Sequence, residues 1–215
     1  MVKKVVIFDF DGTIANTLDP IANIVNRLSD EFGFKKMEEE SIDELRNKKP
    51  KEILKDLGIS MFKLSSVGKR IKSELNREIE DVHPISGIKE VLLELKKTRY
   101  KLGILTSNSK DNVSKFLKRN NLDLFDFIHS ESSIFGKSKV INDLLKNQGL
   151  RPEEVIYVGD EIRDIEAARK TNIKIIAVSW GFNSKQILEK QNPDFLLDEP
   201  RQLIEILGSL RKSTS

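Results

Sequence analysis

The feature that most constrains the fold is a series of short apolar runs separated by helical patterns. The strongest runs do not alternate between apolar and polar residues, which is typical of strands buried on both faces. Because strands alternate with helices of three-and-four apolar spacing, the sequence predicts an α/β fold: a doubly wound, Rossmann-like parallel sheet covered by helices. The predicted strands are Val5–Phe8, Lys101–Leu105, Phe125–His129 (the weakest), Val155–Val158 and Ile173–Val178.

The alternation stops once, early in the chain, where helical patterns follow one another with no strand-like run between them. Ser41 and Glu44 match a capping box at one helix start. The pattern predicts an all-helical domain at residues 16–85, inserted into a core of residues 1–15 and 86–215. The insertion is predicted to hold helices at Leu18–Phe32, Ser41–Arg46, Lys51–Leu57 and Phe62–Glu80, with links to the core at Asn16–Pro20 and Asp81–Ser86.

The composition restricts the classes of function. Of the 215 residues, 38% are hydrophobic and 33% are charged, and the net charge is only +3. A nucleic-acid-binding domain usually carries a stronger basic cluster, so neither a nucleic-acid nor a membrane partner is expected. The chain has no cysteine, which excludes disulfides, thiolate metal sites and cysteine nucleophiles and favours a reducing, cytoplasmic location. The apolar run before Asp9 is too short for a signal peptide or a membrane span.

Polar and charged residues follow the predicted strands at the points where the strands end. In an open parallel sheet these ends meet at one edge, where such folds form their sites. The sequence therefore predicts one site that collects carboxylates, hydroxyls, a lysine and helix N-termini. Its candidate residues are Asp9, Asp11, Gly12 and Thr13 after the first strand, Thr106, Ser107 and Asn108 after the second, Lys137 before a later helix, and Asp160, Glu161 and Asp164 after the fourth.

The mixture of charges at this edge points to a type of chemistry. Carboxylates gathered in a low-dielectric cleft repel one another, and a divalent cation with oxygen ligands, usually Mg²⁺, relieves the repulsion. Helix N-termini together with Thr106, Asn108 and Lys137 favour an anion. A metal and an anion cradle beside a carboxylate are suited to phosphoryl transfer. Asp9 and Asp11 can then divide the work, one attacking phosphorus and the other handling the proton.

Four motifs in the same order resemble the signature of the haloacid dehalogenase superfamily. The order and strand positions agree from Val5 to about Phe182, and the helical insertion lies where this superfamily carries a cap. The segment Trp180–Phe182 is similar to that of phosphoglycolate phosphatase-like members. The matching stretches, from the first motif to the fourth, are Asp9-x-Asp11-Gly12-Thr13, Thr106-Ser107-Asn108, Lys137 and Gly159-Asp160-x-x-x-Asp164.

The resemblance implies a role for each of these residues. Asp9 would be the nucleophile that forms a phosphoaspartyl intermediate, and Asp11 would protonate the leaving oxygen and then activate water. Mg²⁺ would be held by the Asp9 side chain, the Asp11 carbonyl and Asp160. Of the remaining residues, Thr106 and Lys137 would bind the transferring phosphoryl group, and Gly12, Ser107 and Asn108 would form the phosphate site. Asp164 would contact a metal-bound water or Lys137, and Glu161 would lie behind the metal ligands.

Three features leave a choice open. Glu161 directly follows Asp160, so either carboxylate could face the metal. The proline that often follows the lysine of the third motif is absent, which leaves Lys139 as a competitor of Lys137. The basic cluster Arg46–Lys51 in the predicted cap has two interpretations: a solvated loop, or the source of one cation that reaches a carboxylate or second phosphate of the substrate.

The predicted function is a Mg²⁺-dependent phosphatase of a small phosphorylated metabolite, with the cap as a lid that selects the substrate. A phosphosugar mutase would use the same core, and a catalytically silent protein that binds a phosphorylated ligand would keep the same motifs. A dehalogenase needs neither Mg²⁺ nor a second aspartate, so Asp11 argues against it. The long insertion argues against a phospho-acceptor receiver domain. The sequence indicates no oligomeric state.

Overall fold

The computed structural model describes residues 5–38, 41–98, 100–131 and 136–212, and its strands form one six-stranded sheet. All neighbouring strands are parallel, in the order β3-β2-β1-β4-β5-β6, so the chain winds outward from β1 in both directions. This topology confirms the doubly wound α/β fold. The strands are β1 Val5–Phe8, β2 Lys101–Thr106, β3 Phe127–Ser130, β4 Val155–Gly159, β5 Lys174–Val178 and β6 Phe195–Leu197.

Helices cover the sheet and fill the insertion after β1. The short elements α9 and β6 were not predicted, because neither of these short sequences shows a clear apolar period. Within the described ranges, no helix is both long and apolar enough to cross a bilayer. The helices are α1 Leu18–Phe32, α2 Ile42–Arg46, α3 Pro50–Asp56, α4 Met61–Glu78, α5 Ile88–Lys96, α6 Lys110–Arg119, α7 Lys137–Gln148, α8 Ile162–Thr171, α9 Lys185–Glu189 and α10 Gln202–Lys212.

The uninterrupted apolar run of β1 follows from its central position. Val6 and Phe8 point into an apolar cluster shared with α5, α6 and α10, whereas Val5 and Ile7 point into a second cluster shared with α7 and α8. None of the four is more than 1% exposed. Because successive side chains of a strand point to opposite faces, a strand buried on both faces is apolar at every position. This packing fixes the start of the loop that follows β1.

Helices α1–α4 occupy the predicted cap and have an apolar cluster of their own. Val25, Leu57, Ile59 and Val67 are buried together there, and α1 packs along α4. A stretch with its own core is what an inserted domain requires. The assignment of residues 16–85 as a separate domain stays a prediction.

The chain enters and leaves this insertion through two segments that lie side by side. The Ile85 N–H donates to the Ile14 carbonyl at 2.8 Å, and the Asn16 N–H donates to the His83 carbonyl at 2.9 Å. The two crossings therefore form a short paired ribbon between the insertion and the core.

The capping box predicted at Ser41 and Glu44 is wrong. Ser41 has helical backbone angles (φ −91°, ψ −8°), whereas a capping residue is normally extended. Its hydroxyl donates to the Glu38 carbonyl at 2.7 Å instead of capping α2. At the start of the next helix, α3, a carboxylate does bind a free backbone N–H: Glu52 Oε2 accepts from the Lys49 N–H at 2.7 Å.

Replacing Gly103 with alanine is expected to destabilise the fold. Gly103 pairs with Phe127 across β2 and β3, and an added Cβ would lie against the Phe127 ring, 2.6 Å from its Cε1. Overpacking of this kind costs about 1–3 kcal/mol of unfolding free energy, which urea unfolding would measure. The control is Gly208→Ala in α10, where a Cβ meets nothing within 4 Å; about 0.5–1 kcal/mol of added stability is expected there. A Gly103→Ala protein as stable as the wild type would contradict the expectation.

Candidate active site

The candidate site lies at the carboxyl ends of the central strands β1, β2 and β4. Asp9 follows β1 directly, and its N–H donates to the Val158 carbonyl of β4 at 2.8 Å. The Asp9 Oδ1 accepts from the Phe10 N–H at 2.7 Å. The Phe10 side chain is fully buried and packs edge-on against Phe116, with ring centroids 5.1 Å apart. Asp9 is therefore a buried carboxylate held in place by main-chain bonds on the rigid sheet.

Gly12 turns the chain just beyond the two aspartates. Its φ is +75°, and its N–H donates to the Ala15 carbonyl at 2.9 Å. A Cβ here would lie 2.6 Å from a ring carbon of Phe182 and against the Asp160 carboxylate. Glycine is thus required both by the left-handed backbone and by the close approach of Asp160. The predicted role of Gly12 in phosphate binding stays a prediction.

Three buried carboxylates converge beside this turn. Asp9, Asp160 and Asp164 each offer an oxygen, and these oxygens all lie within 4.8 Å of one another. Asp160 is held by the Thr13 hydroxyl, 2.6 Å from its Oδ1, and by the Phe182 N–H, 2.7 Å from its Oδ2. Burial, followed by the charges of neighbouring carboxylates, raises the pKa of Asp160 well above its usual range. A hard divalent cation fits this donor set, because it would offset the repulsion that the raised pKa reflects.

Lys137, the first residue of α7, connects two of these carboxylates. Its Nζ lies 2.7 Å from Asp9 Oδ2 and forms an ion pair with Asp164 Oδ1. The ammonium also sits over the Tyr157 ring, 5.1 Å from the centroid. Burial alone would lower the pKa of Lys137, but Asp164 and Asp9 outweigh burial and raise the pKa well above its usual value. Lys137 is therefore a fixed cation beside Asp9, while Lys139 is exposed.

Asp164 and Asp11 both hold protons more tightly than ordinary aspartates. Burial raises the pKa of Asp164 to about 6 even though Lys137 lowers it. Burial and the charge of Asp9 raise the pKa of Asp11 to about 7, against smaller lowering effects of the Asn108 amide and of Arg163. The Asn108 Nδ2 lies 3.5 Å from Asp11 Oδ1. A carboxyl whose pKa is near neutrality can both give and accept a proton.

The loop after β2 brings further polar groups to the site. The Thr106 Oγ1 accepts from the Asn108 N–H at 2.9 Å, and the Asn108 Oδ1 accepts from the Ser109 N–H at 2.8 Å. Ser109 caps α6 through its hydroxyl, which accepts from the Asn112 N–H at 3.3 Å. Thr106 and Ser107 line a cleft that also contains Asp9 and Lys137. The predicted phosphate-site residues are therefore brought together with the predicted nucleophile; their roles stay predictions.

This geometry has counterparts among known proteins. The family model for haloacid dehalogenase-like hydrolases matches residues 6–178, which is most of the chain. The chain belongs to this family of hydrolases. The resemblance drawn from the four motifs is thereby confirmed.

Relatives of this hydrolase match it over nearly its whole length. It is 33% identical over 210 residues to a phosphoglycolate phosphatase of Synechococcus elongatus, covering 97% of this chain and 99% of that protein. It is 29% identical over 223 aligned residues to the pyrophosphatase PpaX of Bacillus cereus, covering 97% and 98% respectively. A solved haloacid dehalogenase-like hydrolase of Streptococcus pneumoniae superposes with a TM-score of 0.80 and 25% identity, covering 96% of this chain and 99% of that one.

The hydrolase has an arginine in the site that the motifs did not reveal. Arg163 forms an ion pair with Glu161 and lines the cleft that contains Asp9 and Lys137. Arg163 balances the negative charge of the Glu161 carboxylate, and Glu161 is not part of the three-carboxylate cluster. Asp160, unlike Glu161, belongs to the three-carboxylate cluster, and its role as a metal ligand stays a prediction. The only signal in the sequence was a basic residue between two acids of the fourth motif.

The helical insertion of the hydrolase also reaches the site. Lys72 of α4 donates to the Ser107 carbonyl at 2.6 Å, and Arg46 Nη2 donates to the Ser179 carbonyl at 2.9 Å. Lys48, in contrast, forms an ion pair with Asp56 inside the insertion, with an N–O distance of 2.8 Å. The basic cluster Arg46–Lys51 is thus divided: Arg46 contacts the core, and the Lys48 side chain fits the solvated-loop interpretation.

Proposed function

We propose that this hydrolase is a Mg²⁺-dependent phosphatase that hydrolyses a small phosphorylated metabolite through a phosphoaspartyl intermediate at Asp9. The observation that carries the proposal is the placement of Asp9, which contacts Lys137 on one side and meets Asp160 in the three-carboxylate cluster on the other. A nucleophilic carboxylate flanked by a fixed cation and a metal-binding cluster is equipped for attack on a phosphoryl group. The predicted cap, residues 16–85, would select the substrate.

The relatives favour hydrolysis over phosphoryl rearrangement. The proteins from Synechococcus elongatus and Bacillus cereus are named as a phosphatase and a pyrophosphatase, and each aligns with nearly the whole chain, including the insertion. Their names point to small phosphorylated compounds as substrates. A phosphosugar mutase, the alternative raised by the sequence, is not favoured.

The first step would transfer the phosphoryl group to Asp9. A carboxylate oxygen of Asp9 attacks phosphorus, a new P–O bond forms, and the bond from phosphorus to the leaving oxygen breaks. Asp11 gives its proton to that leaving oxygen. Lys137 and the Thr106 hydroxyl bind the phosphoryl oxygens; both residues line the cleft that contains Asp9.

The second step would restore Asp9. Water attacks phosphorus, Asp11 takes the proton of that water, and the bond from phosphorus to Asp9 breaks. The products are inorganic phosphate and the dephosphorylated metabolite, so one water is consumed in each cycle. Asp11 serves as acid and then as base, a double role that its raised pKa suits.

Mg²⁺ would be held by Asp9, Asp160 and the Asp11 carbonyl, with Asp164 and Glu161 behind these ligands. When bound, it supplies positive charge that offsets the negative charge on the carboxylates and on the phosphoryl oxygens. The protein's own contribution is to hold Asp160 by Thr13 and Phe182, so that its carboxylate stays in one orientation.

Removing Mg²⁺ with a chelator is expected to abolish phosphate release, and adding Mg²⁺ back should restore it. A second readout needs no turnover: Mg²⁺ at about a hundred times its dissociation constant should stabilise the folded protein by about 2.7 kcal/mol. Asp160→Asn should remove most of this stabilisation, because one of the proposed ligands loses its charge. Hydrolysis that continues at full rate after chelation would contradict the metal dependence.

The function is tested by measuring phosphate release from phosphoglycolate, sugar phosphates, nucleotides and pyrophosphate in the presence of Mg²⁺. We expect hydrolysis of at least one of them, and none by an Asp9→Asn protein purified in the same way. Sugar-phosphate isomerisation without net phosphate release would identify a mutase. Binding of a phosphorylated compound with no conversion at all would identify a catalytically silent protein and overturn the proposal.

A further inference from the structure

One buried amide links the acidic cluster to the helical insertion. Asn183 lies between β5 and α9 and is only 5% exposed. Its Oδ1 accepts from the Ile162 N–H at 2.9 Å. Its Nδ2 faces the carbonyls of Arg46, at 3.2 Å, and Lys48, at 3.4 Å. An amide side chain has an acceptor and two donors, and here they are directed to the two sides of the molecule.

On the core side, Asn183 holds the segment that carries the acids. Ile162 is the first residue of α8, so its N–H has no partner within the helix and is satisfied by the amide. The Asn183 N–H also donates to the Asp160 carbonyl at 3.2 Å, and the preceding residue, Phe182, donates to the Asp160 carboxylate. Asn183 is therefore fixed relative to Asp160.

On the side of the insertion, the partners are main-chain atoms at the end of α2. Arg46 is the last residue of that helix, so its carbonyl lacks a helical partner. This carbonyl accepts from the Asn183 Nδ2 and also from the Ser184 N–H, at 3.0 Å. The Arg46 guanidinium reaches back to the Ser179 carbonyl. The segment Ser179–Ser184 and the turn after α2 thus hold each other by several hydrogen bonds.

We propose that Asn183 is a positioning residue that sets where the insertion rests over the acidic cluster. This inference depends on the proposed phosphatase function only for its kinetic readout. Asparagine suits the position because aspartate would keep the acceptor for Ile162 but would present a negative oxygen to two carbonyls. Alanine would leave buried groups on both sides without partners.

The decisive variant is Asn183→Asp, with Asn142→Asp on the exposed face of α7 as the matched control. The chain has no cysteine, so single cysteines at Phe62 and Leu93 can carry a fluorophore pair; both side chains are exposed, at 99% and 43%. Energy transfer then reports the distance between insertion and core. In Asn183→Asp we expect a shifted or broadened distance distribution and a loss of about tenfold in kcat/KM on an aryl phosphate. The control should change neither.

An unchanged distance distribution in a folded Asn183→Asp protein would overturn the inference. If that variant fails to fold, Asn183→Ser decides, because the shorter neutral side chain removes the Nδ2 contacts to the Arg46 and Lys48 carbonyls. A shifted distance in Asn183→Ser supports the inference, and an unchanged one overturns it. The distance measurement needs no turnover, so a protein that hydrolyses nothing would reject the proposed function and still leave this test valid.

Discussion

Asp9→Asn is expected to lower the turnover of an aryl phosphate by about ten-thousand-fold or more. The amide is a poor nucleophile, so the phosphoaspartyl intermediate cannot form. Asparagine has nearly the same shape as aspartate and keeps one oxygen, which can accept either from the Phe10 N–H, as Asp9 Oδ1 does, or from Lys137, as Asp9 Oδ2 does. The fold should therefore persist. Phosphate release and circular dichroism on the same preparation would measure both effects.

The matched control is Asp123→Asn, which makes the same chemical change at an exposed position. Its activity should equal that of the wild type. Trapping by hydroxylamine, which cleaves acyl phosphates, should give a modified Asp9 in the wild type and none in Asp9→Asn. An Asp9→Asn protein that keeps a tenth of the wild-type activity would rule out Asp9 as the nucleophile.

Lys137→Met is expected to lower turnover and stability together. Methionine keeps the length of the side chain but removes the charge between Asp9 and Asp164, both of which are buried. Breaking a buried ion pair by removing one partner costs about 3–5 kcal/mol of unfolding free energy. Loss of the cation from the phosphoryl site should lower kcat by about a hundred- to a thousand-fold. Urea unfolding and steady-state kinetics at 25 °C would measure the two effects.

The control for this change lies two residues further along the same helix. Lys139 is exposed, so Lys139→Met should leave both kcat and the unfolding midpoint nearly unchanged. The pair of variants also decides which lysine belongs to the third motif. Equal losses in the two variants, or a larger loss in Lys139→Met, would overturn the assignment to Lys137.

The fold was largely predictable because the central strand of the sheet can hold only certain residue types. β1 tolerates apolar residues alone at its four positions, since both faces of the strand are buried. The polar residues after β1, β2 and β4 could be placed together because parallel strands end at the same edge. The edge strand β6 and the helix α9 were missed because their short sequences show no clear apolar period. The apparent capping box at Ser41 failed because spacing does not reveal backbone angles.

The candidate site was predictable where strand order decides it and not where side chains cross between parts of the chain. Lys137 and Asp9 are far apart in sequence, yet the topology brings them together. The contact of Lys72 with Ser107 depends on how the insertion rests on the core, which no motif encodes. The Glu161–Arg163 pair depends on the side-chain conformations of neighbours along one helix start. The partners of such long side chains are determined only once folding brings the elements together.

The paired ribbon at Ile14–Asn16 and His83–Ile85 has an evolutionary consequence. Because the two crossings are hydrogen-bonded to each other, the two ends of the insertion lie next to each other whatever segment connects them. The entropic cost of closing the segment between these ends rises only slowly with its length, by about 0.6 kcal/mol for each doubling. Mutation can therefore lengthen, trim or exchange this segment in a descendant gene while the sheet and its carboxylates stay as they are. With the proposed role of the insertion in substrate selection, selectivity and bond-breaking chemistry can then diverge at separate rates.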